Sequence, residues 1–414
     1  MIINSVKISN FKNFEDVEVK LGKMNVLVGA NASGKTNFIE ALKFLRNLKN
    51  YGLENAISLS GGAEFFQNLR NENKVTRIEI SFESSFKHYI ASYKQIKKNS
   101  RFRFIVISIK YIIEIEVLNN QTAKILREEL IYRTKIEKET TEASSKVNFT
   151  LSLENGVFKE TNSFKNQKMN ISFKNGTSSE IDFEKVKINS FLPIAKTKSL
   201  IKIALPLRYL SFSIYDFDLK KAKQSTHITS KVDLEENGEN LSLVVKKILA
   251  DKEKARSFSN LVSDALPFIK MVEMDNFYRQ SVAFNVQEQH SEARFPSALL
   301  SDGTIAVTAI IAALFFEKQP FMVFEEPEHG VHPALIAKLV QYFYDASEKK
   351  QIIITTHNPE IVKHIQKLED LLLVSRDEKG FAQISRPIEQ EMVKAFLENE
   401  LGIDELFTQN LLEL

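Results

Sequence analysis

The stretch MNVLVGANASGKTNFIEALKFLRNL, residues 24–48, decides the architecture. Its first six residues, Met24 to Gly29, form a continuous apolar run suited to a parallel strand buried on both faces. From Asn37 onward apolar residues return at helical spacing. Between strand and helix lies Gly29-Ala-Asn-Ala-Ser-Gly-Lys-Thr36, which fits the phosphate-loop pattern G-x-x-x-x-G-K-[ST] at every position. In such a loop the backbone around Gly29, Asn31, Ala32, Ser33 and Gly34, continued by the helix start at Asn37, turns N–H groups toward an anion. Lys35 then reaches the β- and γ-phosphates and the Thr36 hydroxyl ligates Mg²⁺. ATP and Mg²⁺ are the implied ligands.

Upstream, VKISNF (Val6 to Phe11) and VEVKL (Val17 to Leu21) alternate as half-buried strands do. From about Arg77 to Ser190 the texture is of short strands with turn signals. Two Asn-Gly pairs, Asn155-Gly156 and Asn175-Gly176, mark hairpins, so this region predicts an antiparallel sheet. No heptad repeat occurs in it, which leaves no arm of coiled coil. Within it Lys94, Lys97, Lys98, Arg101 and Arg103 interleave with Tyr93, Phe102 and Phe104, a pattern that suits a solvated loop and also a nucleic-acid patch. From about Gly238 helices and strands alternate, the grammar of a parallel sheet. The expected division is 1–90 for the first part of the ATPase lobe, 91–195 for a β-rich insertion, and 196–414 for a helical region and the rest of the lobe.

Composition narrows the class. The 414 residues carry 26% charged and 43% apolar side chains with only 13 Gly and 9 Pro, as an ordinary folded protein does. Lys and Arg number 56 against 53 Asp and Glu, a formal charge of +3, too slight to imply nucleic acid or membrane from total charge. The absence of Cys removes disulfides, thiol catalysis and cysteine-ligated zinc, and suits a reducing compartment. With no signal-like apolar stretch at the start and no run of about 18 apolar residues, a cytoplasmic protein without membrane attachment is expected.

Three further segments carry chemistry. In PFMVFEEPEHGVHP, Pro320 to Pro333, an apolar strand runs into two carboxylates. The first, Glu325, is placed to hold hydrated Mg²⁺, and the second, Glu326, to polarise an attacking water. The first position is commonly Asp, so Glu325, one methylene longer, shifts the metal contact or makes it indirect. LLSDGTIAVTAIIAALFF puts Ser301, Asp302 and Gly303 at the head of an apolar helix, which reads as an ordinary N-cap or as a second anion contact. In IIITTHNPEIV, His357 ends a strand downstream of Glu326, where it can contact the γ-phosphate and the water. His329 and His332 form H-x-x-H without a third ligand, and His88, His227, His290 and His364 read as inert.

Together GANASGKT, LSDGT, FEEPEHGVHP and TTHNPEI resemble the ABC-type ATPase heads of the SMC and RecF class. Most similar are the compact standalone forms of bacterial phage-defence operons: the ATPase part of OLD-family nucleases, the ATPase subunit of PARIS-like systems, and RloA-like proteins. The opening KISNFKNFEDVEVKL, YDFDL, NGENLSLVVKKIL and the final GIDELF also look like segments of this group. The resemblance implies an α/β fold, an ABC/SMC-type P-loop ATPase head with a mixed or parallel core sheet, an antiparallel β-rich lobe and a helical region. It implies that Lys12 and Asn13, in the turn of the first hairpin, approach the nucleotide. It further implies a homodimer or higher oligomer closed around two ATP molecules, Ser301 and Gly303 of one subunit reaching the γ-phosphate held by the other. Departures matter too. There is no zinc hook, no clear Q-loop glutamine beyond Gln224, and too little chain after His357 for a Toprim nuclease domain.

The leading expectation is therefore an ATP-hydrolysing oligomeric switch that controls a separate effector, a nuclease or toxin, in antiphage defence. The alternative is a RecF-like ATPase that binds DNA in repair or maintenance. The ATPase subunit of a membrane transporter is a third, weaker reading, disfavoured by the β-rich insertion and by LSDGT in place of the transporter signature.

Overall fold

A computed structural model describes residues 2–71, 73–83, 102–119, 122–138, 144–154, 157–162, 168–172, 178–182, 212–228, 233–277 and 281–387. The expected boundaries at 90/91 and 195/196, the cationic residues Lys94 to Arg101, both Asn-Gly pairs and the GIDELF segment lie outside the described residues or at their edges. The chain forms two compact units. One comprises residues 1–22, 37–211 and 378–382, the other 23–36, 212–377 and 383–414.

In the first unit a seven-stranded antiparallel sheet runs in the order Phe14–Lys20, Ile2–Phe11, Val75–Glu83, Phe102–Asn119, Thr122–Lys138, Ser144–Glu154, Val157–Asn162. Alternation decides one face, where Val6, Ile8, Ile78, Ile80, Tyr111 and Ile113 are fully buried; on the other, Lys7 and Arg77 are half-buried while Glu79 and Ile112 are buried as well. A two-stranded ribbon pairs Lys168–Ser172 with Ser178–Asp182.

The second unit holds the parallel sheet that the loop sequence calls for. Its strands are β1 (Met24–Val28), β2 (Ser213–Tyr215), β3 (Phe321–Glu325), β4 (Gln351–Thr356), β5 (Leu371–Arg376) and β6 (Ala382–Ser385), in the order β2-β3-β4-β1-β5-β6. The pairings β2–β3, β3–β4, β4–β1 and β1–β5 are all parallel. Every residue of β1 and β4 is buried, as strands covered on both faces must be. Helix α1 (Lys35–Tyr51) starts in this unit at Lys35 and Thr36 and from Asn37 on is counted with the first, as is the helix Leu53–Leu59. The second unit's other helices are α2 (Leu219–Ala222), α3 (Leu241–Leu249), α4 (Lys252–Ala265), α5 (Asp302–Ile311), α6 (Pro333–Ser347) and α7 (Pro359–Lys363). Helix α5 is buried all round from Thr304 to Ile311, so it forms the centre of one helical layer. Its apolar side chains join β1, β3, β4, α3, α4 and α6 in one core cluster. Each fully buried Ile or Val there contributes about 1.5–3 kcal/mol. A smaller antiparallel sheet, built from Thr226–His227, Ile269–Phe277, Ser281–Glu288 and Arg294–Pro296, flanks this core.

The α/β class, parallel core sheet, antiparallel lobe and helical region expected from the sequence are all present. Among the described residues no helix is long and apolar enough to cross a membrane.

Candidate functional site

Register brings the motif residues together. Glu325 pairs with Thr355 and Thr356 with Val28, so Glu325-Glu326, His357 and Gly29 all leave the carboxyl ends of three adjacent parallel strands. That end of an open α/β sheet is where ligands bind.

The phosphate loop owes its shape to two glycines. A Cβ on Gly29 would stand 2.2 Å from the Val374 carbonyl oxygen, and Gly34 has φ 133°, which other residues avoid. Ala32 between them is left-handed at φ 62°. Its carbonyl is gripped by Arg376, from the end of β5, through Nε at 2.9 Å and Nη2 at 2.6 Å. Lys35 is 6% exposed, and its ammonium donates to the carbonyls of Gly29 (2.7 Å) and Ala30 (3.0 Å). Burial pulls this ammonium below the usual lysine range, and the carboxylates of Glu326 and Glu328 oppose the pull. Thr36 is exposed, and the first turn of α1 carries no acid. The loop therefore fits a polyphosphate: a positive helix end, a cation hydrogen-bonded to its own loop carbonyls, and backbone that tolerates no side chain at Gly29.

Across the sheet, Glu326 is left-handed at φ 42°, a conformation that costs about 1–3 kcal/mol for a non-glycine residue. Its N–H bonds the Thr355 carbonyl at 3.0 Å, which holds the bend. The bend points its carboxylate at His357, whose Nδ1 lies 2.9 Å from Glu326 Oε1. Both side chains remain roughly half exposed, open to a ligand. Two residues on, Glu328 is 7% exposed and accepts a hydrogen bond from the fully buried Thr356. Burial pushes its carboxyl above the usual carboxylate range, against the Thr356 bond, and the neighbouring Glu326 charge adds to that push. For Mg²⁺ the donors fit a sparse set, one hydroxyl and one or two carboxylates completed by phosphate and water, since no described cluster of three His, Asp or Glu encloses an ion.

Ser301 caps α5, its Oγ accepting the Thr304 N–H at 3.2 Å, while Asp302 pairs with Lys223 at 2.5 Å. The N-cap reading of this segment is thus realised within the chain. Behind it a cavity of about 300 Å³ is lined by Asp216, Ala306, Glu325, Glu326 and His329, among others. The residue that β2 delivers there is Asp216, whereas Gln224 follows α2 and bonds Lys221 O through its backbone N–H. His332 caps α6, its Nδ1 accepting from Ala334 N–H at 3.2 Å. Lys12 and Asn13 belong to the first unit. There Lys12 faces Glu40 at 3.8 Å, and the Asn13 side-chain oxygen accepts from Asn37 at 2.8 Å.

Sequence reasoning missed Glu328, Arg376 and Asp216. The run of three acids within four residues, 325 to 328, was a signal for Glu328, and an acid directly after an apolar strand was one for Asp216. Nothing around Arg376 distinguishes it in the sequence.

A glycine-shaped loop with its lysine, at the carboxyl end of a parallel sheet that also presents paired acids and a histidine, defines a phosphate-loop ATPase of the α/β class. More specifically, the chain belongs to the family described as "AAA domain, putative AbiEii toxin, Type IV TA system", whose model matches residues 24–363. It is 20% identical over 385 residues to an ATP/GTP phosphatase of Helicobacter pylori, covering 89% of this chain and 88% of that protein. A shorter match, 31% identical over 93 residues, is to the DNA replication and repair protein RecF of Pediococcus pentosaceus; it spans 21% of this chain and 25% of RecF. Among solved structures the chain is similar to an Smc head domain with an extended coiled coil derived from Pyrococcus furiosus (TM-score 0.49, 14% identity, 96% and 98% of the two chains). It is also similar to the SMC head domain from Thermotoga maritima (TM-score 0.41, 13% identity, 93% and 99%).

Proposed function

We propose that the chain hydrolyses ATP and uses the cycle as an oligomeric switch over a separate effector, a nuclease or toxin, in antiphage defence. The observation that carries the reading is the Glu326–His357 contact of 2.9 Å, next to the strand that ends in the phosphate loop. In this reading the loop from Gly29 to Asn37 and Lys35 bind the triphosphate. Thr36 and Glu325 hold Mg²⁺, which when bound neutralises charge on the phosphates and orients them. Glu326 takes the proton of the attacking water, and His357 fixes the Glu326 carboxylate and reads whether the γ-phosphate is present. Ser301, Asp302 and Gly303 complete the site of a second copy, which makes ATP the glue of a homodimer or larger assembly. The H. pylori relative's name supports hydrolysis, and the family's description as a putative toxin of a Type IV TA system suits a defence role in the cytoplasm.

A positioned base is worth about 10²–10⁴-fold in rate, so Glu326→Gln should bind ATP, hydrolyse it at least about 100-fold more slowly, and gain mass with ATP by light scattering. A monomer whose mass is unchanged by ATP would refute the switch. The RecF match favours one alternative, a DNA-binding ATPase of repair or maintenance. That reading requires ATP hydrolysis stimulated by duplex DNA with steep salt dependence, whereas the switch requires none.

A further inference from the structure

We infer that Glu328 is a positioning residue for His357: its buried carboxyl is the anchor from which the chain on both sides of the histidine hangs. The consequence for turnover rests on the ATPase reading, while the geometry stands without it. A glutamate is seldom buried this deeply without a strong reason, and Glu328 is 7% exposed. Its Oε1 accepts the hydroxyl proton of Thr356, which is itself completely buried. A hydroxyl has one proton to give, so this bond turns the Thr356 lone pairs the other way, where they accept the Asn358 N–H at 2.9 Å. Thr356 and Asn358 flank His357. The same hydrogen-bond chain therefore fixes where the imidazole leaves the backbone, and with it the 2.9 Å contact to Glu326. The Glu328 carbonyl meanwhile accepts the Val331 N–H at 2.9 Å, closing the turn that follows the acid pair. Among the described residues, none gives a hydrogen bond to the buried Oε2 of Glu328. An unsatisfied buried acceptor costs stability that a smaller or apolar residue would not, so Glu328 is a poor choice for the fold alone and its place beside Thr356 points to the site.

Glu328 has a second possible target, the Lys35 ammonium, whose charge it helps sustain. The two roles separate by substitution. Glu328→Gln keeps an acceptor for Thr356 and removes the charge. Glu328→Ala removes both, and Thr356→Val removes the hydroxyl alone. Positioning of His357 requires that Glu328→Ala and Thr356→Val lower kcat about 10-fold or more, with the Kd for ATP changed by less than about 3-fold, and that Glu328→Gln restores kcat. It also requires that Glu328→Ala added to His357→Ala costs nothing further, the signature of two residues acting as one. Without nucleotide, the ¹⁵N-histidine signals of His357, assigned by their loss in His357→Ala, should move in Glu328→Ala and Thr356→Val and return in Glu328→Gln. That readout holds whether or not the chain hydrolyses ATP, so an inert wild type would refute the ATPase reading and leave this one to be decided by the spectra. Unmoved His357 signals, additive losses, or a Glu328→Gln variant that loses ATP binding would overturn it. If Glu328→Ala fails to fold, Thr356→Val and Glu328→Gln decide the matter.

Discussion

Two helix N-termini in the second unit sit behind the two glycine-containing motifs, and they are finished in opposite ways. Helix α1 starts at Lys35 with no acid in its first turn, its N–H groups facing a loop that a Cβ at Gly29 would break. Helix α5 starts behind Ser301, whose Oγ already takes the Thr304 N–H, and carries Asp302 in its first turn. A helix end attracts an anion through unsatisfied N–H groups and its positive dipole, and both are partly spent at α5. The first end carries no acid and is left open to an anion from outside the chain. The second, as it stands, is self-satisfied, and any phosphate brought to it must draw Ser301 away from its own helix. Under the switch proposed above, the first end would bind nucleotide in every copy and the second would act only once a loaded partner arrives.

Removing Lys35 tests the first end and carries the largest effect. Lys35→Ala should abolish ATP binding measured by calorimetry, because the loop then keeps its N–H groups but loses the buried cation beside them. Retained binding would make the two ends alike and end the comparison.

Ser301 tests the second end. A serine cap replaced by glycine costs only a few tenths of a kcal/mol, whereas alanine costs about 0.5–2 kcal/mol. Ser301→Gly should therefore melt within about 2 °C of wild type and bind ATP normally per chain, yet lose ATP-driven association and most turnover. If turnover persists with that variant, Ser301 is a cap and nothing more.

The smallest effect lies at the far end of α5, where Lys350 donates to the carbonyls of Glu317 (2.7 Å) and Ala313 (3.4 Å). Burial lowers its pKa to about 8, against a partial opposing pull from Glu317. Between pH 8 and the unfolded lysine value, the unfolded chain binds more protons than the folded one, so stability contributed at this residue rises with pH across that window. Denaturant midpoints of wild type relative to Lys350→Met should climb from pH 8 to 10; a flat difference would place the ammonium in water.

Some of this was legible in local sequence. Strand, loop and helix around Gly29 to Thr36, the acid pair Glu325-Glu326, and His357 at a strand end each depend on neighbours close in the chain, and each lies where the reading put it. The N-cap and anion readings of Ser301 could not be separated from the chain alone, because both require the same residues at a helix start. The described geometry realises the cap.

What the sequence by itself determined, then, is the period of each element and the loop between strand and helix, because burial on both faces of a strand and the φ of a glycine are properties of a few adjacent residues. Only the tertiary structure decided the strand order that sets β4 between β1 and β3 and so brings His357 to Glu326. It also decided the grip of Arg376 on Ala32, and the burial of Glu328 beneath Thr356, 28 positions further along the chain. Those contacts join segments that share no local pattern, and the burial that gives each its energy exists only once the sheet has closed around them.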